Sequence, residues 1–148
     1  MEANEKQERS LPDLLLKKIS RENRGKLTVF LGAIAGVGKT FAMLKAAHEK
    51  QAEGKNIVIG WVETHGRCET EELVNGLPRI FPRQMTYKNR IFTEMDTDHI
   101  TESKPDIVLV DELAHTNVQG SRHVRRYQDV EEILSAGIDV YTTINIQH

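Results

Sequence analysis

The first candidate for chemistry is the stretch of residues 29–40, an apolar run that breaks into glycines and ends in Gly-Lys-Thr. Gly36 and Gly38 can adopt positive φ and leave the backbone N–H groups of a loop free to face one point. A helix that begins near Lys39 would add free N–H groups and the positive end of its dipole. The pattern predicts an anion-binding loop, and specifically a phosphate-binding loop made of Gly36, Val37, Gly38, Lys39 and Thr40.

Two side chains at the end of this loop have specific expected roles. Lys39 can reach the β and γ phosphates of a nucleotide, and the Thr40 hydroxyl can bind Mg²⁺. The usual spacing calls for glycine five positions before Gly38, where this sequence has Ala33, with Gly32 one step earlier. Alanine is compatible with the loop if its φ stays negative. The alternative is a glycine-rich turn from strand to helix that carries Lys-Thr by chance.

A second candidate is the acidic pair Asp111 and Glu112, which follows the apolar run of residues 107–110. Asp111 is placed to hold Mg²⁺ opposite Thr40, directly or through water. Glu112 is a candidate to orient or deprotonate an attacking water. The alternative is an ordinary surface turn at the end of a strand.

Arginines and histidines surround these candidates in the sequence. Any of four arginines could neutralise phosphate charge as an arginine finger does, namely Arg67, Arg122, Arg125 and Arg126. Arg122 is the preferred one, because its loop follows the acidic strand. Four histidines in the same loops leave a transition-metal site open as a rival interpretation, although no pair has the spacing of a helical zinc motif: His65, His115, His123 and His148.

The elements that must position these residues alternate along the chain. Strands are predicted at 26–31, 56–62, 107–112 and 138–144, with strand-like character and a possible turn at 84–92. Helices are predicted from Ser10 to before Gly25, and at 40–51, 69–75, 97–103 and 124–136. The fold class is therefore α/β, a P-loop NTPase-like parallel sheet with helices on both faces. Ligands of such sheets bind at the carboxyl ends of the strands, where Glu63 also lies in a dense polar segment.

Composition limits the possible functions. The 148 residues fit one domain, and a net charge of −2 gives no bulk attraction for nucleic acid or for an anionic membrane. No apolar run approaches the ~18 residues of a membrane span, and the charged N-terminus is unlike a signal peptide, so we expect a cytoplasmic chain without membrane insertion. The single cysteine, Cys68, excludes an internal disulfide and is expected to be an incidental free thiol.

Several ordered motifs together resemble one family. They are the loop of residues 32–40, Val-Glu-Thr-His-Gly-Arg at 62–67, Val-Asp-Glu-Leu-Ala-His-Thr-Asn at 110–117, Gly-Ser-Arg-His at 120–123, Tyr-Gln-Asp-Val-Glu-Glu at 127–132, and the segment 136–148. In this combination the chain resembles the cytoplasmic N-terminal domain of the KdpD family, the sensor histidine kinases that control high-affinity potassium uptake. The resemblance covers roughly residues 25–148, so residues 1–24 are expected to form an N-terminal extension with a short helix.

The resemblance implies an ATP-binding regulatory domain of a two-component system. Gly36, Gly38, Lys39 and Thr40 would hold ATP, and Asp111 its Mg²⁺. In the family, ATP occupancy is thought to adjust the phosphatase activity of a kinase core, so the partners are ATP and the remainder of a sensor kinase anchored in the inner membrane. The family domain continues beyond the motif that ends at His148, so we expect an excised piece or a truncated product. Motifs of the kinase core itself do not occur in these residues.

Two other classes of function compete with a regulatory domain. A free-standing P-loop ATPase or nucleotide-dependent transferase would use Asp111 and Glu112, and steady turnover would distinguish it. A nucleic-acid motor would need a basic surface, which the composition does not favour. Nothing in the sequence marks an adenine pocket, so the choice of ATP rests on the resemblance.

Overall fold

A computed structural model describes residues 11–15, 23–32 and 38–145 of the chain. The strands lie at Leu27–Gly32 (β1), Ile57–Trp61 (β2), Arg83–Tyr87 (β3), Arg90–Glu94 (β4), Ile107–Val110 (β5) and Asp139–Asn145 (β6). The helices lie at Lys39–Ala52 (α1), Cys68–Asn75 (α2), Thr97–Ser103 (α3) and Arg126–Ser135 (α4). Residues 11–15 are also helical, in agreement with the predicted N-terminal helix.

Four of the strands form one parallel sheet with the order β1-β6-β5-β2. The alternation of strands and helices predicted such a sheet, and the α/β class is confirmed. The order has a consequence for the carboxyl edge. Since β6 lies between β1 and β5, a side chain of β6 can bridge the residues that follow these two strands.

Helices cover both faces of this sheet, as predicted. Successive side chains of a strand point to opposite faces, and β5 is fully buried on both. Ile107 and Leu109 pack in a core with Met43 and Leu44 of α1. Val108 and Val110 pack in a second core with residues of α3, α4 and β6, among them Ile100, Val130, Ile133 and Val140. The unbroken apolar run of β5 is thus explained by burial on both sides.

The helix boundaries have local causes. The Asp96 carboxylate accepts a hydrogen bond of 3.1 Å from the backbone N–H of His99, which caps the beginning of α3. The helix predicted at 124–136 is shorter and begins at Arg126. Its apolar residues Val130, Ile133 and Leu134, which recur at helical spacing, are buried, but the side chain of Tyr127 is exposed. α2 begins at Cys68, which is an exposed free thiol, as expected.

The region predicted as strand-like at 84–92 is an antiparallel hairpin of β3 and β4. Lys88 and Asn89 both have positive φ, 50° and 61°, and form the tight turn that the twist of a two-residue hairpin favours. Strands and helices therefore do not alternate along the whole chain, because β3 and β4 follow each other directly. These two strands form a sheet of their own. In the part of the chain that the structure describes, no helix has the length and apolar character that crossing a bilayer requires.

Candidate functional site

The beginning of α1 carries three of the predicted loop residues. Gly38 precedes the helix with φ of 78°, and among the described residues other than its chain neighbours no atom would lie within 4 Å of a Cβ built on it. Lys39 and Thr40 are the first residues of α1 and both are buried. Gly32 lies against the Lys39 side chain, since a Cβ there would be 3.1 Å from Lys39 Cδ. A small residue at position 32 therefore makes room for the lysine, whereas Ala33, Gly36 and Val37 lie outside the described residues.

Asp111 is the centre of the polar cluster at the carboxyl edge of the sheet, with only 1% of its surface exposed. Its carboxylate accepts hydrogen bonds from the Thr40 hydroxyl, at 3.1 and 3.3 Å to the two oxygens, and from the Glu63 N–H at 3.0 Å. The Thr143 hydroxyl of β6 also bonds to Asp111 Oδ1. Three chain segments that are distant in sequence therefore meet on one carboxylate. Its oxygens and the Thr40 hydroxyl are the kind of ligand that could hold Mg²⁺.

Two cavities flank the beginning of α1. One of about 230 Å³ is lined by Lys39, Glu112, His115 and Asn145, among others. The other, of about 280 Å³, has a wall formed by residues after β2 together with the start of α1, including Gly38, Thr40, Glu63, His65 and Arg67. Lys39 and Thr40 thus line different cavities. Asn145 brings the end of β6 to the first cavity, while Gln147 and His148 lie outside the described residues.

A fully buried arginine lies behind Asp111. Arg126 Nη1 donates a hydrogen bond of 2.9 Å to the Asp111 carbonyl, and the guanidinium carbon lies 4.7 Å from the centre of the Trp61 ring. Arg126 Nη2 is 3.5 Å from Glu94 Oε2, close enough for an ion pair but long for a hydrogen bond. Neither Nη2 nor Nε has a hydrogen-bond partner among the described residues. Burial lowers the pKa of Arg126, and the charges of Glu94, Glu112 and Asp111 oppose that shift.

Glu94, at the end of β4, connects the hairpin to this arginine. The carboxylate of Glu94 is buried and accepts a hydrogen bond of 2.8 Å from the Val118 N–H. His115 Nε2 lies 3.1 and 3.2 Å from its two oxygens, and the His115 ring stacks on Trp61. The hairpin therefore contributes a charge to the buried region behind the acidic strand end.

Arg122 occupies a different environment. Its guanidinium donates to both carboxylate oxygens of Asp98 at 2.7 Å and to those of Glu132 at 2.9 and 3.0 Å. The hydrogen bond from Arg122 lowers the pKa of Asp98. Burial would raise the pKa of Glu132, but the hydrogen bonds from His123 and Arg122 outweigh it and lower that pKa. The guanidinium that was predicted to bind phosphate is therefore bound to two carboxylates in this structure.

Residues 23–148 match the family model described as KdpD, osmosensitive K⁺ channel His kinase sensor domain. The chain belongs to the KdpD sensor domain family. It is 53% identical over 145 residues to the sensor protein KdpD of Clostridium acetobutylicum, covering 95% of this chain and 16% of the relative. It is 50% identical over 137 residues to that of Escherichia coli K12, covering 93% and 15%. The chain thus spans only a small part of the curated relatives it matches, and the predicted family resemblance is confirmed.

The structure brings together five of the residues predicted for the site, namely Lys39, Thr40, Glu63, Asp111 and Glu112. Gly38 lies beside them, whereas Arg122 is bound to Asp98 and Glu132. The roles assigned to the predicted residues stay predictions. Sequence reasoning missed Thr143, although a threonine pair inside the apolar strand β6 was a signal for polar groups near a strand end. It treated Arg126 only as one of four arginines. Nothing in the sequence pair Arg125-Arg126 indicates which of the two is buried.

Proposed function

We propose that this chain is an ATP-binding regulatory domain of a sensor histidine kinase, in a two-component system that controls potassium uptake. The observation that carries the proposal is the buried contact between the Thr40 hydroxyl and the Asp111 carboxylate. These residues are 71 positions apart, at the start of a helix that follows one strand and at the end of another strand. That pairing is the one that P-loop nucleotide sites use to hold Mg²⁺.

The neighbouring groups fit a nucleotide with its metal. Gly38 is not crowded by any described residue beyond its chain neighbours, and the N-terminal N–H groups of α1 together with Lys39 provide positive charge for phosphates. Thr40 and Asp111 would hold Mg²⁺, whose charge offsets that of the phosphates when it is bound. Gly36 and Val37 would complete the loop, and Glu63 would lie beside the metal ligand. This arrangement supports a P-loop NTPase-like fold.

The relatives support the regulatory part of the proposal. They carry the name sensor protein, and this chain corresponds to 15–16% of the two described above. We therefore infer that the partner of this domain is the remainder of a sensor kinase, on the cytoplasmic side of the inner membrane. Nucleic acid is not proposed as a partner, because the net charge of −2 offers no general attraction to phosphate chains.

The test is nucleotide-dependent stability. At a hundredfold excess over Kd, Mg-ATP should increase the free energy of unfolding by about 2.7 kcal/mol. Urea unfolding with ATP, GTP or ADP, each with and without Mg²⁺, would measure the gain and the base preference. Lys39→Ala should remove most of the gain, whereas Lys45→Ala, at an exposed position of the same helix, should keep it. A full ATP-dependent gain in Lys39→Ala would contradict the proposal.

A free-standing ATPase or transferase is the second candidate, favoured by the position of Glu112 on the cavity that Lys39 also lines. We expect slow turnover instead, well below the enzyme median of roughly 10 s⁻¹. A missing arginine finger costs roughly 10³–10⁵ in kcat, and Arg122 is bound by Asp98 and Glu132. Glu112→Gln should lower residual hydrolysis without loss of affinity. Fast multiple turnover that Glu112→Gln abolishes would favour the ATPase.

A further inference from the structure

The peptide group between Asp111 and Glu112 is held from both sides by side chains of other elements. Its carbonyl oxygen accepts the 2.9 Å hydrogen bond from Arg126 Nη1, at the first residue of α4. Its N–H donates a hydrogen bond of 2.9 Å to the Thr143 hydroxyl of β6. A peptide plane with both polar groups engaged cannot rotate without breaking one of these bonds. We call this arrangement the peptide clamp.

The backbone at Glu112 is in a conformation that requires such support. Its φ is 58°, in the left-handed region where the Cβ of an L residue is crowded by its own backbone. Non-glycine residues stay in that region when the surrounding structure determines it, and such positions cluster at functional sites. The two hydrogen bonds of the peptide clamp fix the backbone on the N-terminal side of Glu112. On the C-terminal side, the Glu112 carbonyl accepts a hydrogen bond of 3.0 Å from the His115 N–H.

Neither clamping group is free to move. Arg126 is fully buried, with Trp61 against its guanidinium and Glu94 as its ionic partner. Thr143 is also fully buried, and its hydroxyl bonds to the Asp111 carboxylate as well as to the Glu112 N–H. One hydroxyl therefore fixes both the backbone of Glu112 and the carboxylate that Thr40 contacts.

We propose that Thr143 and Arg126 are positioning residues, which hold Glu112 in the left-handed conformation and so keep it on the wall of the cavity that Lys39 lines. The conformational part of this inference is independent of any ligand. The part that concerns Glu112 acting on a phosphate-bound water rests on the proposed nucleotide function. The two parts are tested separately.

The conformational test compares glycine with alanine at position 112. In a left-handed position glycine is the more stable residue, so Glu112→Gly should have an unfolding equilibrium constant roughly 5- to 10-fold smaller than that of Glu112→Ala. The greater stability of Glu112→Gly over Glu112→Ala should persist when each is combined with Thr143→Ser, which keeps a hydroxyl. The difference should shrink when each is combined with Thr143→Val, which has the same shape without a hydroxyl. Equal stability of Glu112→Gly and Glu112→Ala beside Thr143, or an equal glycine advantage in Thr143→Val, would overturn the clamp.

The functional test is a double-mutant cycle on the residual ATP turnover of the chain. Thr143→Val and Glu112→Gln should each reduce the rate, and the loss in the double variant should be smaller than the product of the two single losses, because part of the Thr143 effect acts through Glu112 and the rest through Asp111. Thr143→Ser should restore the rate. Additive losses would overturn the positioning role. If the wild-type chain binds no nucleotide, the proposed function fails, and the comparison of glycine with alanine still decides whether the clamp exists.

Discussion

Two arginines only four residues apart, Arg122 and Arg126, lie in opposite environments. The side chain of Arg122 is 49% exposed and makes four hydrogen bonds of 2.7–3.0 Å to the carboxylates of Asp98 and Glu132. Arg126 is 0% exposed, and within the described residues its side chain makes one hydrogen bond, to the Asp111 carbonyl, with Glu94 at 3.5 Å. The arginine with more hydrogen bonds is therefore the one whose hydrogen bonds water can replace most easily.

The number of polar contacts is thus a poor guide to the importance of a charge. Around Arg122, water and ions compete for every group, so its ion pairs contribute little to the free energy of folding. Around Arg126, removal of the guanidinium leaves the carboxylate of Glu94 and the carbonyl of Asp111 buried with fewer partners, which is costly. The interior arginine also holds the backbone of the candidate site. Three substitutions test this comparison.

The largest effect is expected for Arg126→Met. Breaking a buried ion pair by removing one partner costs about 3–5 kcal/mol in the free energy of unfolding. Urea denaturation followed by circular dichroism would measure the loss, with Arg122→Met as the matched control for the same chemical change. A loss in Arg126→Met no larger than that in Arg122→Met would remove the distinction between the two arginines.

An intermediate effect is expected for Glu94→Gln. The amide keeps the shape of the carboxylate but not its charge, so Arg126 loses its ionic partner, and the substituted side chain bonds less well to the Val118 N–H and His115. We expect a loss of about 1–3 kcal/mol, the range for impaired buried polar contacts. Glu102→Gln, on the exposed side of α3, is the matched control and should change stability little. Similar stabilities of the two variants would show that Glu94 does not support Arg126.

The smallest effect, and a pH-dependent one, is expected for Arg122→Met. Arg122 lowers the pKa of Asp98 and contributes to the lowered pKa of Glu132, so these carboxylates release protons more easily in the folded state. Stability from a lowered carboxyl pKa is present above the pKa of the unfolded chain and is lost as pH falls through the folded value. Arg122→Met should therefore be slightly less stable than wild type at pH 7 and equal to it in strong acid. Urea titrations from pH 7 down to about 2 span the normal carboxyl pKa and would check this. A difference that grows on acidification would contradict it.

Much of the fold follows from local patterns in the sequence. The apolar run of residues 107–110 predicted a strand, which the structure buries on both faces, and the alternation of strands and helices predicted the parallel sheet. The hairpin was harder to predict, because residues 84–92 carry weak alternation and their pairing depends on a turn with two left-handed residues, Lys88 and Asn89. Patterns of this kind reflect local geometry, which the sequence carries directly.

The candidate site was only partly predictable. Lys39, Thr40 and Asp111 have characteristic neighbours in the sequence, and the structure brings Thr40 and Asp111 into contact. Arg126 and Thr143 have no such signal, because their importance comes from the strand order that places β6 and the start of α4 around Asp111. Arg122 looked suitable for phosphate because its loop follows the acidic strand. Its actual partners, Asp98 and Glu132, come from α3 and α4, whose packing the sequence does not reveal.

The most direct test of the central claim, that Asp111 is the metal-holding carboxylate of a nucleotide site, is the Mg²⁺ dependence of ATP affinity. Titration calorimetry would give Kd for ATP with excess Mg²⁺ and with a chelator, in wild type, Asp111→Asn and the control Asp98→Asn. We expect wild type and Asp98→Asn to bind ATP more tightly with Mg²⁺, and Asp111→Asn to lose most of that gain while its metal-free affinity changes less. An equal Mg²⁺ response in all three proteins would place the metal elsewhere and contradict the account.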